Sequence, residues 1–396
     1  MLVVIETHPI QYHAPVYRAV QGFFGVPVTA IYGSDFSVVG YRDNEFAATF
    51  AWDNDLLSGY RSLFLSRVGQ GGACSAEQVS GRGLGQLLQL LNPRATLVCG
   101  YSPRFHQLAL YHAWRTRRPV LFRAETTDHA QTRGELKRWL RDRLLGGVYA
   151  RCARLLYVGR RSLQHFQRLA CPAEKLVFSP YCVDTSLFAG DEDSRSRLRQ
   201  ATRERLGIEP NRTVLLFSGK LSARKGPDLL LSALKALPPH QREASTLLFV
   251  GSGELREELA VQAQRPPSVA VIFAGFQNQT QLSAYYHAAD LLVLPSRHSE
   301  TWGLVVNEAL HHGLPCIVSD AVGCGPDLVT PGATGETFDT GSVQSLARAL
   351  ARAQLLIHRP EVQDRCRAAV AGYSVQRAAA GIAEAYTAAV ASACLR

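Results

Sequence analysis

Residues 295 to 320 read PSRHSETWGLVVNEALHHGLPCIVSD and press a strand end, a polar loop, a helix start and a following strand into one short unit. The apolar run Leu291 to Leu294 ahead of it reads as a strand. Leu304, Val305 and Val306 then open a helical run that ends at Leu310, before the breakers Gly313 and Pro315, and Cys316 to Ser319 reads as the next strand. Glu300 therefore belongs to the loop and Glu308 to the helix. Strand, loop and helix in that order put the backbone N–H groups near Gly303 to Val305 at the C-terminal edge of a parallel sheet, where anionic ligands are held. Acids beside a phosphate site repel phosphate unless they face something else. Sugar hydroxyls serve, since an ionised carboxylate accepts from two of them at once, so the inferred ligand is a nucleotide sugar. The bland alternative leaves Glu300 as an electrostatic helix cap and Glu308 as a solvated helix residue.

A second loop of similar chemistry lies upstream. After a strand at Val214 to Ser218, the residues Gly219-Lys220-Leu221-Ser222-Ala223-Arg224-Lys225-Gly226 precede a helix over Asp228 to Leu237. The glycines let a backbone approach a ligand, and Lys220 and Lys225 carry charge suited to a diphosphate. The spacing and the Lys-Ser/Thr ending of a Walker loop are absent. Further strands are expected at Thr246 to Val250, followed by Gly251-Ser252-Gly253, and at Val269 to Phe273, followed by Gly275-Phe276. A helix over Gln281 to Ala289 comes next, and the chain closes on an alanine-rich helix over Val375 to Cys394.

The N-terminal half alternates in the same way. Strands are expected at Leu2 to Glu6, Val26 to Tyr32, Thr96 to Cys99, Val120 to Arg123, Leu155 to Val158 and Val177 to Ser179, separated by helical segments, as in a parallel doubly wound sheet. The polar turns after two of these strands carry His8, Gln11 and His13, and Glu125 and His129. Such residues line a ligand cleft and bind acceptor hydroxyls or shuttle protons, or the histidines merely cap the next helix. Asp35 to Ser66 reads as irregular. Within it Asp53 and Asp55 have the spacing of a divalent-metal pair, but they lie far in sequence from both phosphate loops and read better as a turn or an acceptor loop.

At 396 residues the chain is long for one core and suits two domains. Nine scattered cysteines without a Cys-x-x-Cys pair argue for a reducing compartment and against structural zinc. Met1 to Ile5 reads as a buried strand rather than a signal peptide, and no apolar run is long enough to span a membrane, so a cytoplasmic protein is expected. The net charge of +10 is concentrated, since Arg115 to Arg168 holds fourteen basic residues against four acids. Inside that stretch Leu136, Trp139, Leu140, Leu144 and Leu145 interleave with Lys137, Arg138, Arg141 and Arg143. This is either a basic amphipathic helix for the surface of an anionic membrane or a core-packed helix with a solvated basic face. No nucleic-acid module accompanies the charge, so no nucleic-acid partner is expected.

Taken in order, Gly219-Lys220-Leu221 with Lys225-Gly226, Gly251-Ser252-Gly253, Ala289-Asp290-Leu291 with Pro295-Ser296, Glu300 with Glu308-Ala309-Leu310, and Gly313-Leu314-Pro315 resemble the retaining family-4 glycosyltransferases of the GT-B fold. The likeness covers nearly all of the second half. In the first half it is carried only by Val183-Asp184 with Phe188 and by the position of the basic stretch. The resemblance implies an α/β chain of two facing Rossmann-like domains, at 1–185 for the acceptor and 186–372 for the nucleotide sugar, with 373–396 as a helix crossing back to the first domain. It implies that Glu308 binds the ribose and that Glu300 binds the donor sugar. Lys220 and Lys225 would hold the diphosphate with N–H groups around Gly303 and Leu304. Phe276 would lie near the base, and Gly219, Gly251, Thr301, Trp302 and Val305 would complete the donor site. His8, Gln11, His13, Glu125 and His129 would face the acceptor, with His13, Glu125 and His129 as candidates for proton transfer. No metal or other cofactor is implied. Lys220 stands where the family usually has arginine, which loses bidentate geometry and keeps the charge. His8 to Pro15 replaces the usual glycine-rich first loop. Transfer of a sugar to an acceptor hydroxyl of a saccharide, lipid-linked glycan or metabolite is the expected activity. A nucleotide-sugar epimerase and a catalytically silent nucleotide-sugar-binding scaffold are the alternatives.

Overall fold

The computed structural model describes residues 1–43, 48–129, 134–186, 188 and 191–394. Among these residues two parallel sheets organise the chain, bearing out the expected pair of Rossmann-like α/β domains. The N-terminal sheet has seven strands in the order Arg61–Phe64, Val28–Tyr32, Leu2–Glu6, Ala95–Val98, Val120–Arg123, Arg154–Tyr157, Leu176–Phe178. The C-terminal sheet has six, ordered Ala270–Gly275, Ser245–Val250, Thr213–Ser218, Leu291–Leu294, Cys316–Ser319, Gly335–Phe338. Central strands such as Leu2–Glu6 and Leu291–Leu294 are buried along their whole length, as continuous apolar runs covered by helices on both faces must be.

Strand order reverses between Leu2–Glu6 and Ala95–Val98 in one sheet, and between Thr213–Ser218 and Leu291–Leu294 in the other. These are the switch points outside whose C-terminal ends an open sheet leaves a crevice. Each switch point is followed by loops already singled out, Thr7 to His13 in the first domain, and Gly219 to Gly226 and Pro295 to Gly303 in the second.

Asp290, from the Ala289-Asp290-Leu291 stretch, is buried and structural. Its two carboxylate oxygens accept from Arg199 Nη2 at 2.6 Å and Arg203 Nη2 at 2.7 Å, and from Val214 N at 2.7 Å. The helix Glu192–Arg205 is thereby bolted to the sheet it precedes. The helix Val375–Cys394 packs against Ala14–Phe24 and the N-terminal strands, through Ala378, Ala379, Ile382, Ala385 and Ala389. Gly381 permits the approach, since a Cβ there would lie 2.1 Å from the Phe178 carbonyl oxygen.

Two edge strands, Arg61–Phe64 and Gly335–Phe338, fall outside the expected strands. The first is a half-exposed Arg-Ser-Leu-Phe run inside the stretch read as irregular. The second starts at a glycine that reads as a turn, but a Cβ on Gly335 would lie 1.8 Å from the Cys316 carbonyl oxygen, so here the glycine lets two strands pair.

Candidate functional site

The C-terminal half of the cleft is built on the strand-to-helix loops of its sheet. The loop after Thr213–Ser218 turns at Gly219, with φ 142°, against Gly251, with φ 134°. A Cβ on Gly251 would sit 1.9 Å from the Gly219 carbonyl oxygen, so both loops run bare backbone along the cleft floor. The same loop ends in Lys225, whose Nζ donates to Glu300 Oε2 at 2.5 Å, while Ser296 Oγ donates to that oxygen at 2.8 Å. Burial pushes the Glu300 carboxyl up, and the Lys225 ammonium and the two hydrogen bonds outweigh it and hold the group below the usual carboxylate range. Lys220 lies on the turn directly after Gly219.

Gly303, with φ 99°, caps the helix Leu304–His311, and a Cβ there would meet Leu294 Cδ2 at 2.9 Å. One turn on, Glu308 is buried, with Tyr286 Oη donating to Oε2 at 2.5 Å and Tyr12 Oη donating to Oε1 at 3.3 Å. Burial pushes its pKa up to about 7, against those two hydrogen bonds. Tyr12, Trp52, Gly251, Phe276, Val305 and Glu308 line one cavity.

Across the cleft a second cavity of about 310 Å³ is lined by His13, Arg123, Glu125, Tyr181, Ser299 and Thr301, with Cys99 and Arg141 in its wall. Burial raises the Glu125 carboxyl, partly offset by a hydrogen bond from Thr301 and by the nearby His13. His13 Nδ1 lies 2.7 Å from the buried Glu6 Oε1, which also accepts from Tyr17 Oη at 2.5 Å. Burial works to raise Glu6, but the imidazole and the hydrogen bonds bring it down to about 2, so an ionised carboxylate fixes the ring and leaves Nε2 as the nitrogen available to the cavity. Glu6, His13 and Cys99 bring three ligand-type atoms within 4.8 Å of one another. Tyr17 Oη, 3.4 Å from Cys99 Sγ, joins them, and burial holds the thiol well above its ordinary value, so the cluster reads as a hydrogen-bonded network.

The fold thus gathers Gly219, Gly251, Phe276, Val305 and Glu308 at one end of the cleft, Lys225 and Glu300 at its middle, and His13 and Glu125 opposite. Gln11 neighbours the Tyr12 hydroxyl. Other residues from the sequence analysis go elsewhere. The Trp302 indole is buried, donates to Asn307 Oδ1 at 2.8 Å and packs on Tyr181 and Tyr373, so any donor contact at that position falls to its backbone. Thr301 turns to Glu125 and the second cavity, away from the donor side. His8 lays its ring on Phe36 at 4.4 Å, with Nδ1 2.8 Å from Thr7 Oγ1. His129 is exposed beside Asp128, which is committed to His165 and Arg168. Asp53 and Asp55 face different partners, Thr280 for the first and the Leu57 and Ser58 backbone for the second. Glu6, Tyr12 and Tyr286 join the site without a signal of their own in the sequence, although Tyr12 lies between Gln11 and His13, and Ser296, from the Pro295-Ser296 pair, gains its role only through Glu300.

Residues 199–371 match the family model described as glycosyl transferases group 1. Curated relatives include a D-inositol 3-phosphate glycosyltransferase of Xylanimonas cellulosilytica, 35% identical over 38% of this chain and 36% of the relative. A sulfoquinovosyl transferase of Arabidopsis thaliana is 32% identical over 39% of this chain and 29% of its own length. Among these relatives the longest matched span, in a D-inositol 3-phosphate glycosyltransferase of Segniliparus rotundus, is 32% identical and covers 57% of this chain and 49% of that protein. The chain thus matches about half or less of the length of these relatives. Two solved structures share the fold over the whole length. Anabaena HepE in complex with UDP has TM-score 0.71 and 18% identity, covering 98% of this chain and 99% of that one. WaaG, a glycosyltransferase involved in lipopolysaccharide biosynthesis, has TM-score 0.65 and 17% identity, covering 98% and 100%. The chain has the GT-B fold, and its residues 199–371 are similar to the glycosyl transferases group 1 family.

Proposed function

We propose that this protein is a retaining, family-4 type glycosyltransferase that moves a sugar from a nucleoside diphosphate sugar, UDP- or GDP-linked, to an acceptor hydroxyl in bacterial glycan, glycolipid or secondary-metabolite biosynthesis. One observation carries the reading. In Ser299-Glu300-Thr301 the outer two residues line the cavity of the N-terminal domain, while the Glu300 carboxylate between them pairs with Lys225 on the nucleotide side. The reaction centre of a transferase belongs at such a junction, where a donor sugar and an acceptor meet at one residue. The UDP complex of HepE and the glycosyltransferase names of the relatives support the substrate class.

In this mechanism Lys225 turns from Glu300 to the diphosphate, joined by Lys220 and the helix start at Gly303 and Leu304, and Glu300 is released to the hydroxyls of the donor sugar. The bond from the anomeric carbon to the diphosphate oxygen breaks with its electron pair leaving on that oxygen. The acceptor oxygen forms its bond on the same face, and its proton passes to the departing phosphate. Cations preorganised at the leaving group address the main barrier, the growth of negative charge there. Because those cations come from the protein, the reaction requires no metal or other cofactor, and activity that survives chelation is the expected result. His13, set by Glu6, and Glu125 orient the acceptor.

The surface of the N-terminal domain suits a peripheral position on a membrane. No described helix is long and apolar enough to cross one. On the helix Glu135–Arg151, however, Leu136, Trp139, Leu140 and Leu144 form one stripe at helical spacing and are each more than half exposed. Lys137, Arg138 and Arg143 flank them, as at an anionic interface. Arg133, also counted in the basic stretch, lies outside the described residues.

Incubating the protein with a panel of nucleotide sugars, with and without candidate acceptors, tests the activity. Acceptor-dependent release of nucleoside diphosphate is expected. Conversion of the sugar alone would indicate an epimerase, and no turnover with any donor a silent binding protein.

A further inference from the structure

The cavity that takes Phe276 and Glu308 is not built from one domain. Gly251, Phe276, Val305 and Glu308 belong to the C-terminal domain, whereas Tyr12 and Trp52 reach it from the N-terminal one. Trp52 follows the short antiparallel ribbon of Tyr41–Asp43 and Ala48–Phe50, which stands apart from the main sheet. On either side of Trp52 the chain is tied across the cleft. Asn278 Nδ2 donates to the Ala51 carbonyl at 2.7 Å, and Asp53 N donates to Asn278 Oδ1 at 3.4 Å. Thr280 Oγ1 and Thr280 N both donate to Asp53 Oδ2, at 2.5 and 3.3 Å. These partners sit at the N-terminal end of the helix Gln279–Ala288, and the same helix carries Tyr286, which holds Glu308. Interdomain ties therefore converge on one helix, one carboxylate and one cavity.

We propose that Trp52 is a stacking lid supplied by the N-terminal domain for the nucleobase of the donor, and that the clasp of Asp53 on Asn278 and Thr280 holds the lid closed. The proposal rests on the glycosyltransferase reading for the identity of the ligand as a nucleoside diphosphate. A base bound along the bare backbone at Gly251 and beside Phe276 has a second face that one domain alone leaves to water. An indole plane covers it at a gain common to all bases. The clasp consists of exposed hydrogen bonds, each weak enough in water to break and re-form as the nucleotide enters and leaves. Tyr12 closes the ribose end, and its 3.3 Å bond to Glu308 is the longer of the two on that carboxylate, hence the one a ribose hydroxyl displaces. Nucleotide binding and approach of the acceptor domain then become a single event, since the Trp52 that covers the base belongs to the domain that carries His13 and Glu125.

Calorimetric titration of UDP, GDP and ADP into the full chain tests this, using wild type, Trp52→Ala, Trp52→Phe, Asp53→Ala, Thr280→Val and the Asp53→Ala/Thr280→Val double variant. Trp52→Ala is expected to weaken the preferred nucleotide about tenfold, the size of one lost stacking contact, and Trp52→Phe much less. The two clasp variants should each weaken it severalfold, and the double variant no more than the worse single one, because both remove the same bond. The indole fluorescence change on nucleotide binding should shrink in Trp52→Phe, a folded-protein readout that holds even if the alanine variant misfolds. Undiminished affinity in Trp52→Ala, or an unchanged fluorescence response in Trp52→Phe, overturns the lid, and additive losses at Asp53 and Thr280 overturn the clasp. A wild type that binds none of the three nucleotides refutes the glycosyltransferase reading itself, and the lid with it.

Discussion

Lys225 Nζ stands 2.5 Å from Glu300 Oε2, so the cation assigned to the diphosphate and the acid assigned to the donor sugar neutralise each other directly. Ser296 Oγ, 2.8 Å from the same oxygen, keeps the carboxylate in place when the lysine turns away. Glu300→Gln retains the shape and removes the charge. It should lower turnover about 10²- to 10³-fold, the usual cost of one preorganised electrostatic contact, while nucleoside diphosphate affinity stays level or rises because Lys225 is released. Steady-state rates alongside titration of the nucleotide check this, and near-wild-type transfer would remove Glu300 from the site.

Glu308 differs from Glu300 because its carboxylate, among the described residues, accepts from the hydroxyls of Tyr12 and Tyr286 and pairs with no cation, and burial lifts its pKa to about 7. The folded protein then holds a proton that the unfolded chain has lost, so this group contributes most to stability below the ordinary carboxylate value and progressively less as pH rises through about 7. Ligand binding runs the other way, since ribose hydroxyls bond best to the ionised carboxylate. Nucleotide affinity should rise as pH passes from about a unit below to about a unit above that value, with proton release on binding. Titrations in buffers of different ionisation enthalpy measure that release. Glu308→Gln should abolish both the release and the pH dependence.

The C-terminal half was legible because its chemistry is local in sequence. Between them the loops Gly219 to Gly226 and Pro295 to Gly303 carry glycines, cations and Glu300 in two short runs, and a parallel sheet stacks those loops on one edge without further information. The N-terminal half was read less well because its functional neighbours are distant in sequence. Glu6 meets His13 only once the strand and helix are formed, and Tyr12 meets Glu308 across 296 residues. Trp302, which the family resemblance places in the donor site, takes its side-chain direction from packing on Tyr181 and Tyr373, both distant in sequence. Asp290 belongs to the Ala289-Asp290-Leu291 stretch that carries the family resemblance, and its place between Arg199 and Arg203 makes it a structural anchor.

That anchor has a measurable consequence. Asp290 is buried beneath two guanidinium groups and the Val214 amide, so Asp290→Ala leaves a buried cation at Arg203 without its counter-charge. Breaking one side of such a pair costs about 3–5 kcal/mol. Denaturant unfolding should show a loss of that order, against less than about 1 kcal/mol for Glu192→Ala, whose ion pair with Arg195 is exposed. Equal losses in the two variants would refute the anchoring role.

On the helix Glu135–Arg151, Leu136, Trp139, Leu140 and Leu144 are 78, 57, 54 and 64% exposed, while Leu145 and Tyr149 alone are buried in the domain core. A helix packed only for stability would turn that stripe inward, so the stripe calls for an apolar medium, and the surrounding cations select an anionic one. Arg143 lies over the Trp139 ring at 5.3 Å, which keeps the indole at the boundary between the apolar stripe and the charged flank. Flotation with vesicles containing anionic lipid should carry the protein upward, and neutral vesicles should leave most of it behind. Lys137→Glu/Arg138→Glu should lose binding chiefly at low salt, where the electrostatic part dominates. Trp139→Ala/Leu140→Ala should lose it at any salt, because the apolar contribution is not screened. Arg141 pairs with Asp128 and Asp142 inside the domain and is left unchanged in both variants. Binding that survives both double substitutions would rule the helix out as the membrane contact.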